Sequence, residues 1–522
     1  MANRPKRSIG KPVGPWITAR KIVQSFTLAI FIVLFIGSQS TDQPAHLMSF
    51  PMRLDPLLIL SHLFASRVFL VSSALALITI ILTLVFGRAW CGWICPLGTI
   101  LDLFSFTRKR NHRSESIRQP SEAWRRVKYI LLLTTLLAAL FGNLTLLFLD
   151  PLTILYRTLT ISLWPALDQA VTALEAGLYR IPSLANLVSA FDAWVRPGLL
   201  PSQPAYYRNA FLFGAIFFGI ILLNLAAPRF WCRYLCPLGA FLGLISKLSL
   251  FRRDVSEECR GCDLCIQVCP TGTIDSQRNY ASDPSECTMC MDCLEACPRS
   301  SITFHPKISI AQWQEYDPNR RQAITTFGLT VAALALLQSD AIIRRENNFL
   351  LRPPGARENN LLSKCVRCAE CIRACPTNAL QPATSEAGLE GLWTPVLVPR
   401  LGYCDFSCNA CGDICPIEAI PPLSLEEKRL KVIGHAFIDQ NRCIAWSDHT
   451  DCIVCEEMCP LPDKAIHLEL SQFSKSDGTL ATIQLPHVDR SLCIGCGICE
   501  YKCPVNGDAA IRVYVPQTNL IA

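Results

Sequence analysis

The 522-residue chain contains no C-x-x-C-H sequence and no glycine-rich G-x-G-x-x-G loop. These absences exclude covalently attached haem and the phosphate-binding turn of dinucleotide enzymes. Charged residues are scarce, at 17%, against 51% hydrophobic residues and a mean hydropathy of +0.29. That balance excludes an ordinary soluble multidomain protein and calls for a membrane portion. The formal net charge is +7, yet no basic patch is interleaved with aromatic residues, so nucleic acid is excluded as a partner. None of the 28 cysteines stands outside a motif.

Cysteine is what the chain has in abundance. Six runs of four each end in Cys-Pro, at Cys269, Cys297, Cys375, Cys415, Cys459 and Cys503. The first two read Cys259, Cys262, Cys265, Cys269 and Cys287, Cys290, Cys293, Cys297, the C-x2-C-x2-C-x3-C-P spacing of two-cluster ferredoxins. Disulfide frameworks do not repeat one dense spacing with a terminal proline, and structural zinc takes two separated pairs. A [4Fe-4S] cube takes three thiolates from a tight loop and the fourth from further away. In the two-cluster arrangement the fourth is exchanged, which groups Cys259, Cys262, Cys265 with Cys297 and Cys287, Cys290, Cys293 with Cys269. Four more runs follow: Cys365, Cys368, Cys371, Cys375; Cys404, Cys408, Cys411, Cys415; Cys443, Cys452, Cys455, Cys459; and Cys493, Cys496, Cys499, Cys503. The second and third of these are stretched, and spacing does not say which of the four exchange a ligand. Six [4Fe-4S] clusters are expected in all.

Apolar stretches at residues 22–37, 68–87, 129–149, 209–227 and 322–338 are candidate membrane spans. Arg4, Lys6, Arg7, Lys11, Arg20 and Lys21 precede the first. Nine basic residues, among them Arg88, Arg108, Lys109, Arg110, Arg113, Arg118, Arg125, Arg126 and Lys128, separate the second from the third. By the positive-inside rule both groups are cytoplasmic, and five spans leave the C-terminus outside. The first four spans form a duplicated pair. Arg88-Ala89-Trp90-Cys91 to Cys95-Pro96-Leu97-Gly98 recurs as Arg229-Phe230-Trp231-Cys232 to Cys236-Pro237-Leu238-Gly239, and Leu54-Asp55-Pro56-Leu57 recurs as Leu149-Asp150-Pro151-Leu152. An insert of residues 156–207 in the second unit is expected to hold interfacial helices around Trp164 and Trp194.

Pseudo-twofold packing of the two units brings Cys91, Cys95, Cys232 and Cys236 together at the cytoplasmic end. Four such thiols suit an additional metal site, copper included, or equally a buried structural set or a redox disulfide. Asp55 and Asp150, each before a proline, fit helix N-caps; with His62 they are also the candidate proton acceptors for a membrane quinol.

The expected architecture is a membrane α-helical protein, a four-helix duplicated bundle plus a fifth span, with two α+β ferredoxin-like iron–sulfur domains. Its parts are a cytoplasmic tail (1–21), the four-span domain (22–249), a two-cluster ferredoxin domain (250–318) with a short strand after each Cys-Pro, an arginine-pair segment and fifth span (319–338), a linker (339–362) and an external four-cluster domain (363–522). The pair Arg320-Arg321 matches either a twin-arginine export signal or a plain topology signal.

On these residues the chain resembles a fusion of two membrane quinol-dehydrogenase iron–sulfur proteins, NapH and NapG. Residues 20–300, with four spans, two C-x3-C-P motifs and a ferredoxin module, are similar to the NapH type. Residues 319–515 are similar to the NapG/MauM type, through the arginine pair, Leu351-Arg352-Pro353-Pro354-Gly355-Ala356, Cys365-Val366-Arg367-Cys368 and Cys459-Pro460-Leu461-Pro462-Asp463-Lys464-Ala465-Ile466. The resemblance implies a multi-pass protein of a prokaryotic cytoplasmic membrane that oxidises quinol and relays single electrons to an external reductase or cytochrome. Two other readings stand beside it: a relay from a cytoplasmic ferredoxin, and a copper- or metal-handling reductase. In every case electrons meet a hydrocarbon core of about 30 Å between the two sets of cubes.

Overall fold

Proline fixes where the short helices of the first 249 residues begin, because its ring presets helical φ and its missing N–H falls where no intrahelical partner exists. In the computed structural model Pro56, Pro96, Pro151 and Pro237 open the helices Pro56–Ser66, Pro96–Leu103, Pro151–Thr158 and Pro237–Ser246. Asp55, Cys95, Asp150 and Cys236 are the residues capping them. The other major helices of the two units are Pro15–Gly37 and Ala76–Phe86 in the first, and Glu122–Leu140 and Ala210–Leu222 in the second. Each unit therefore repeats one order: long helix, aspartate-capped short helix, apolar helix, cysteine turn, proline-opened short helix. The insert of the second unit forms Trp164–Leu178 and Ala185–Val195.

The structure describes residues 14–39, 44–70, 74–105, 122–196, 199–200, 205–306, 320–338, 348–474 and 480–516. Arg4, Lys6, Arg7, Lys11, Arg108, Lys109, Arg110, Arg113 and Arg118, and much of the 339–362 linker, lie outside them.

The units interlock. Glu122–Leu140 packs on both Pro237–Ser246 and Pro56–Ser66, while Pro15–Gly37 packs on Pro96–Leu103. Arg320–Gln338 lies along Glu122–Leu140, with the Thr134 and Thr330 hydroxyls 3.4 Å apart. Among the described residues Pro15–Gly37, at 23 residues, is the one helix long and apolar enough to cross a membrane by itself. The other expected spans coincide with helices of different make. Ala76–Phe86 and Ala210–Leu222 have 11 and 13 residues, lengths of about 16 and 20 Å. Glu122–Leu140 starts with a charged turn. The shortening has local causes: Ala76–Phe86 stops at Gly87, whose φ is 64°, and Ala210–Leu222 tightens into the 3-10 turn Leu223–Leu225.

Residues 251–306 form the first ferredoxin module. Its outer strands Phe251–Val255 and Ile302–Pro306 pair antiparallel, Phe251 opposite Pro306, and Ile274–Asp275 pairs with Ala281–Ser282. Both Cys-Pro turns are thus followed by a strand, as expected. The C-terminal domain carries three further two-stranded sheets: Leu380–Pro382 with Pro395–Leu397, His435–Ile438 with Ile511–Tyr514, and Ile466–Ser474 with Leu480–Val488.

Candidate iron–sulfur sites

The regular cysteine runs share a winding that their sequence does not spell out. In each, the residues two and four after the first cysteine take positive φ: Gly261 and Asp263, Met289 and Met291, Arg367 and Ala369, Gly495 and Gly497. This left-handed alternation wraps the backbone round a common centre and aims its N–H groups inward, the geometry of an anion-binding nest. A short helix such as Leu264–Val268 or Glu370–Ala374 then carries the chain to the Cys-Pro turn. After four of those turns the chain bends again at a positive-φ residue: Gly272, Ser300, Asn378 and Glu418.

The C-terminal domain answers the pairing question left open by spacing. One space free of protein atoms is lined by Cys365, Cys368, Cys371 and Cys415, and a second by Cys459, Cys493, Cys496 and Cys499. Cys404, Cys408 and Cys411 have Cys375 as an electrostatic neighbour, and Cys443 and Cys455 have Cys503. All four runs therefore exchange their last cysteine, the first with the second and the third with the fourth. Cys404 N–H donates to Cys496 O at 2.8 Å, which joins the two exchanged pairs into one row. In the first module Cys287 and Cys290 likewise neighbour Cys269.

These quartets fit a cube. Burial pushes the Cys404 thiol up to about 12 and Cys415 to about 11, and burial followed by Cys404 and Cys375 pushes Cys411 up. Four thiolates so enclosed repel one another and are short of solvation, and the positive charge of iron removes both penalties. Among the described residues no three His, Cys, Asp or Glu side chains converge on a single-ion centre. Thiolates at the corners of a cube are not expected to converge so.

The repeat also brings together what its sequence suggested. Cys91, Cys95, Cys232 and Cys236 are all buried and are electrostatic neighbours of one another. Asp55 accepts from Leu57 N (2.8 Å) and Leu58 N, and Asp150 from Leu152 N (2.9 Å) and Thr153 N, the N-cap arrangement. Both carboxyls are fully buried, and the second oxygen of each, Oδ2, has no hydrogen-bond partner among the described residues. His62 is buried in the Pro56–Ser66 helix; its Nε2 has no partner, and Lys364 is its charged neighbour.

Sequence reasoning missed the two seams. At the first, basic residues read as topology signals hold the ferredoxin module. Arg20 bonds Cys290 O (2.8 Å) and Asp292 (2.9 Å), and Arg125 donates to Gly272 O (2.5 Å). Lys128 meets buried Glu286 at 2.6 Å, while Arg88 reaches Ser285 O at 2.8 Å and Glu286 at 3.5 Å. Gly92 sits so close that a Cβ there would lie 2.1 Å from Thr288 O. At the second seam Arg367 donates to Thr145 Oγ1 (3.0 Å), Arg157 lies over the Trp393 ring at 4.3 Å, and Arg373 over Phe35 at 4.5 Å. The recurrence of Arg88 as Arg229 was the one signal in the repeat that pointed to these residues.

Known proteins agree with this chemistry. Families described as a 4Fe-4S binding domain match residues 68–113, 209–256, 362–381 and 485–511, and a 4Fe-4S dicluster domain matches residues 252–303. The ferredoxin-type protein NapG of Escherichia coli is 37% identical over 203 residues, 37% of this chain and 82% of that protein. The methylamine utilization ferredoxin-type protein MauM of Methylorubrum extorquens is 37% identical over 210 residues, 38% of this chain and 89% of that protein. MauN of Methylobacillus flagellatus is 24% identical over 265 residues, 49% of this chain and 76% of that protein. No solved structure matches. With ferredoxin-type cysteine runs, cysteine quartets drawn from paired runs and relatives matched over most of their length, the chain belongs to the NapG/MauM family of ferredoxin-type iron–sulfur electron-transfer proteins.

Proposed function

We propose that this chain oxidises a membrane quinol and relays its electrons through six [4Fe-4S] clusters to an external cytochrome or reductase, as a NapH-like membrane part fused to a NapG-type domain. The supporting observation is where the Cys365 quartet lies. Lys364, one residue before Cys365, is the charged neighbour of buried His62, and the Glu358–Lys364 helix packs on Pro56–Ser66. A quinol bound at that seam meets an imidazole whose Nε2 has no partner and can accept its O–H, beside the first cluster site of a row. Asp55 and Asp150, buried caps with Oδ2 unpartnered, are the further candidate acceptors.

Membrane immersion is part of the same reading. Ile22, Phe26 and Val33 of the first helix, Ile78 and Ile81 of Ala76–Phe86, Phe211 and Phe218 of Ala210–Leu222, and Ile324 and Phe327 of Arg320–Gln338 are all exposed, an apolar belt far larger than a soluble surface tolerates. Short helices buried against partners are acceptable at membrane depth when their ends are satisfied, and the N-termini of Pro56–Ser66 and Pro151–Thr158 are capped by Asp55 and Asp150. Within this frame the ferredoxin module is cytoplasmic and the C-terminal domain external. The clusters supply one-electron transfer with little rearrangement; the protein supplies spacing, burial and proton acceptance.

Anaerobically purified protein is expected to lose its visible iron–sulfur absorbance when menaquinol or ubiquinol is added. His62→Gln should slow that bleaching at least tenfold with iron content unchanged. Absence of bleaching with either quinol refutes the proposal, and an unaffected rate in the variant removes His62 from it.

A further inference from the structure

The four cysteines of the repeat lie in two copies of one uncommon turn. Trp90–Ile94 and Trp231–Leu235 are both π-helical, closed by Cys95 N–H to Trp90 O and Cys236 N–H to Trp231 O, each 2.9 Å. Single π turns inside α-helical proteins are frequent at functional sites. The second cysteine of each copy caps a helix, Pro96–Leu103 of eight residues and Pro237–Ser246 of ten, so two positive helix ends face sulfur. In the second copy Gly239 N–H donates to Cys236 Sγ at 3.2 Å.

Two buried arginines complete the enclosure, one from each unit and each crossing to the other. Arg229 donates to Cys91 O at 3.1 Å, and Arg88 has Cys91 and Cys236 as electrostatic neighbours. The donor set is four sulfurs with no imidazole or carboxylate among them, which selects zinc, Cu(I) or iron–sulfur. A lone zinc or copper ion needs its ligands around one point, and no such convergence occurs among the described residues. The quartet shares this spread with the six ferredoxin quartets. The two 4Fe-4S binding-domain matches at 68–113 and 209–256 each hold only one cysteine pair, half of a ligand set.

The position is as informative as the chemistry. Arg229 neighbours both Cys232 and Cys290, and Trp93 Nε1 donates to Met289 O at 2.8 Å, so the quartet abuts one cube site of the ferredoxin module. In the other direction Cys236 has Asp150 as an electrostatic neighbour, and Arg157 has both Asp150 and Cys368. The quartet thus stands between the Cys287 group on one side and the Cys365 group on the other.

We propose that Cys91, Cys95, Cys232 and Cys236 together hold a seventh iron–sulfur cluster inside the membrane domain, and that it is the stepping stone for electrons between the two ferredoxin domains. The inference rests on the six-cluster reading for its endpoints, but not for its ligands. Each transfer moves one electron from one cluster to the next, with no bond made or broken.

The test is iron, acid-labile sulfide and spin-counted EPR on full-length protein purified anaerobically, as wild type and as C91S/C232S. Six cubes carry about 24 iron atoms, and a seventh cluster of the [2Fe-2S] or [4Fe-4S] class raises this to about 26 or 28. The expected result is that excess in the wild type and its loss, with the remaining EPR signals intact, in the variant. Equal iron in both proteins overturns the proposal, as does copper or zinc bound at these cysteines. Should the variant fail to fold, the wild-type count decides alone: six spin-counted centres overturn the proposal and seven support it. Fewer than six centres in both, with the difference between them preserved, strikes the six-cluster reading and leaves this site standing.

Discussion

Glu286 is the acid on which Lys128 and Arg88 both close at the first seam, and its removal has a calculable effect. The carboxylate is 4% exposed and faces Lys128 at 2.6 Å, Arg88 at 3.5 Å and the Tyr129 hydroxyl at 3.2 Å. Both cations are themselves buried, with side-chain exposures of 0% and 1%. Taking one partner from a buried ion pair leaves uncompensated charge and costs about 3–5 kcal/mol. In Glu286→Ala the docked state of the ferredoxin module therefore loses about that much relative to the undocked state. At 1.4 kcal/mol per tenfold, this is a rise of roughly 150- to 4,000-fold in the open population. The assay is deuterium uptake in detergent-solubilised protein, followed by mass spectrometry for segments covering residues 285–293. Uptake there should accelerate by that factor while segments of the C-terminal domain stay unchanged. Glu286→Gln, which keeps an acceptor for Lys128 but no charge, should fall between the two. An acceleration below tenfold in Glu286→Ala refutes the claim that this carboxylate holds the seam.

Gly92→Ala places a methyl group 2.1 Å from Thr288 O, a backbone atom that cannot yield cheaply, so the same segments should lose protection with iron content unchanged; unaltered uptake would show that the seam is not tight there. The exchanged ligands make a paired prediction for the C-terminal domain. EPR of Cys415→Ser should match that of Cys368→Ser rather than Cys408→Ser, and Cys375→Ser should match Cys408→Ser, whereas the reverse matching would mean each run serves its own cube.

The cysteine runs were legible because three ligands of a cube come from one loop, so the signal is local in sequence. The fourth ligand was not. Whether Cys415 joins Cys365 or Cys404 depends on how two loops pack, and the stretched spacings of Cys404 and Cys443 carry no trace of it. The Asp-Pro and Cys-Pro starts of the short helices were readable from proline's fixed φ, and Asp55 and Asp150 took the N-cap role that pattern predicts. The apolar stretches were readable as helices but not in length, since an apolar window does not register a break such as Gly87 or a tightening such as Leu223–Leu225; among the described residues Pro15–Gly37 is the one helix long and apolar enough to cross a membrane.

The basic residues show what a count of flanking charges leaves out. Arg20, Arg88, Arg125 and Lys128 were counted for the side of the membrane they mark, and that count treats each as a solvated charge. All four are paired with carbonyls or carboxylates 146 to 270 positions away in the chain. In the folded chain these charges lie where the ferredoxin module docks. A sequence window does not see these contacts. The discriminating feature is the acid that meets the charge: Glu286 is unremarkable among 42 acidic residues by composition, and only its enclosure between Lys128 and Arg88 separates a clamp from a topology signal.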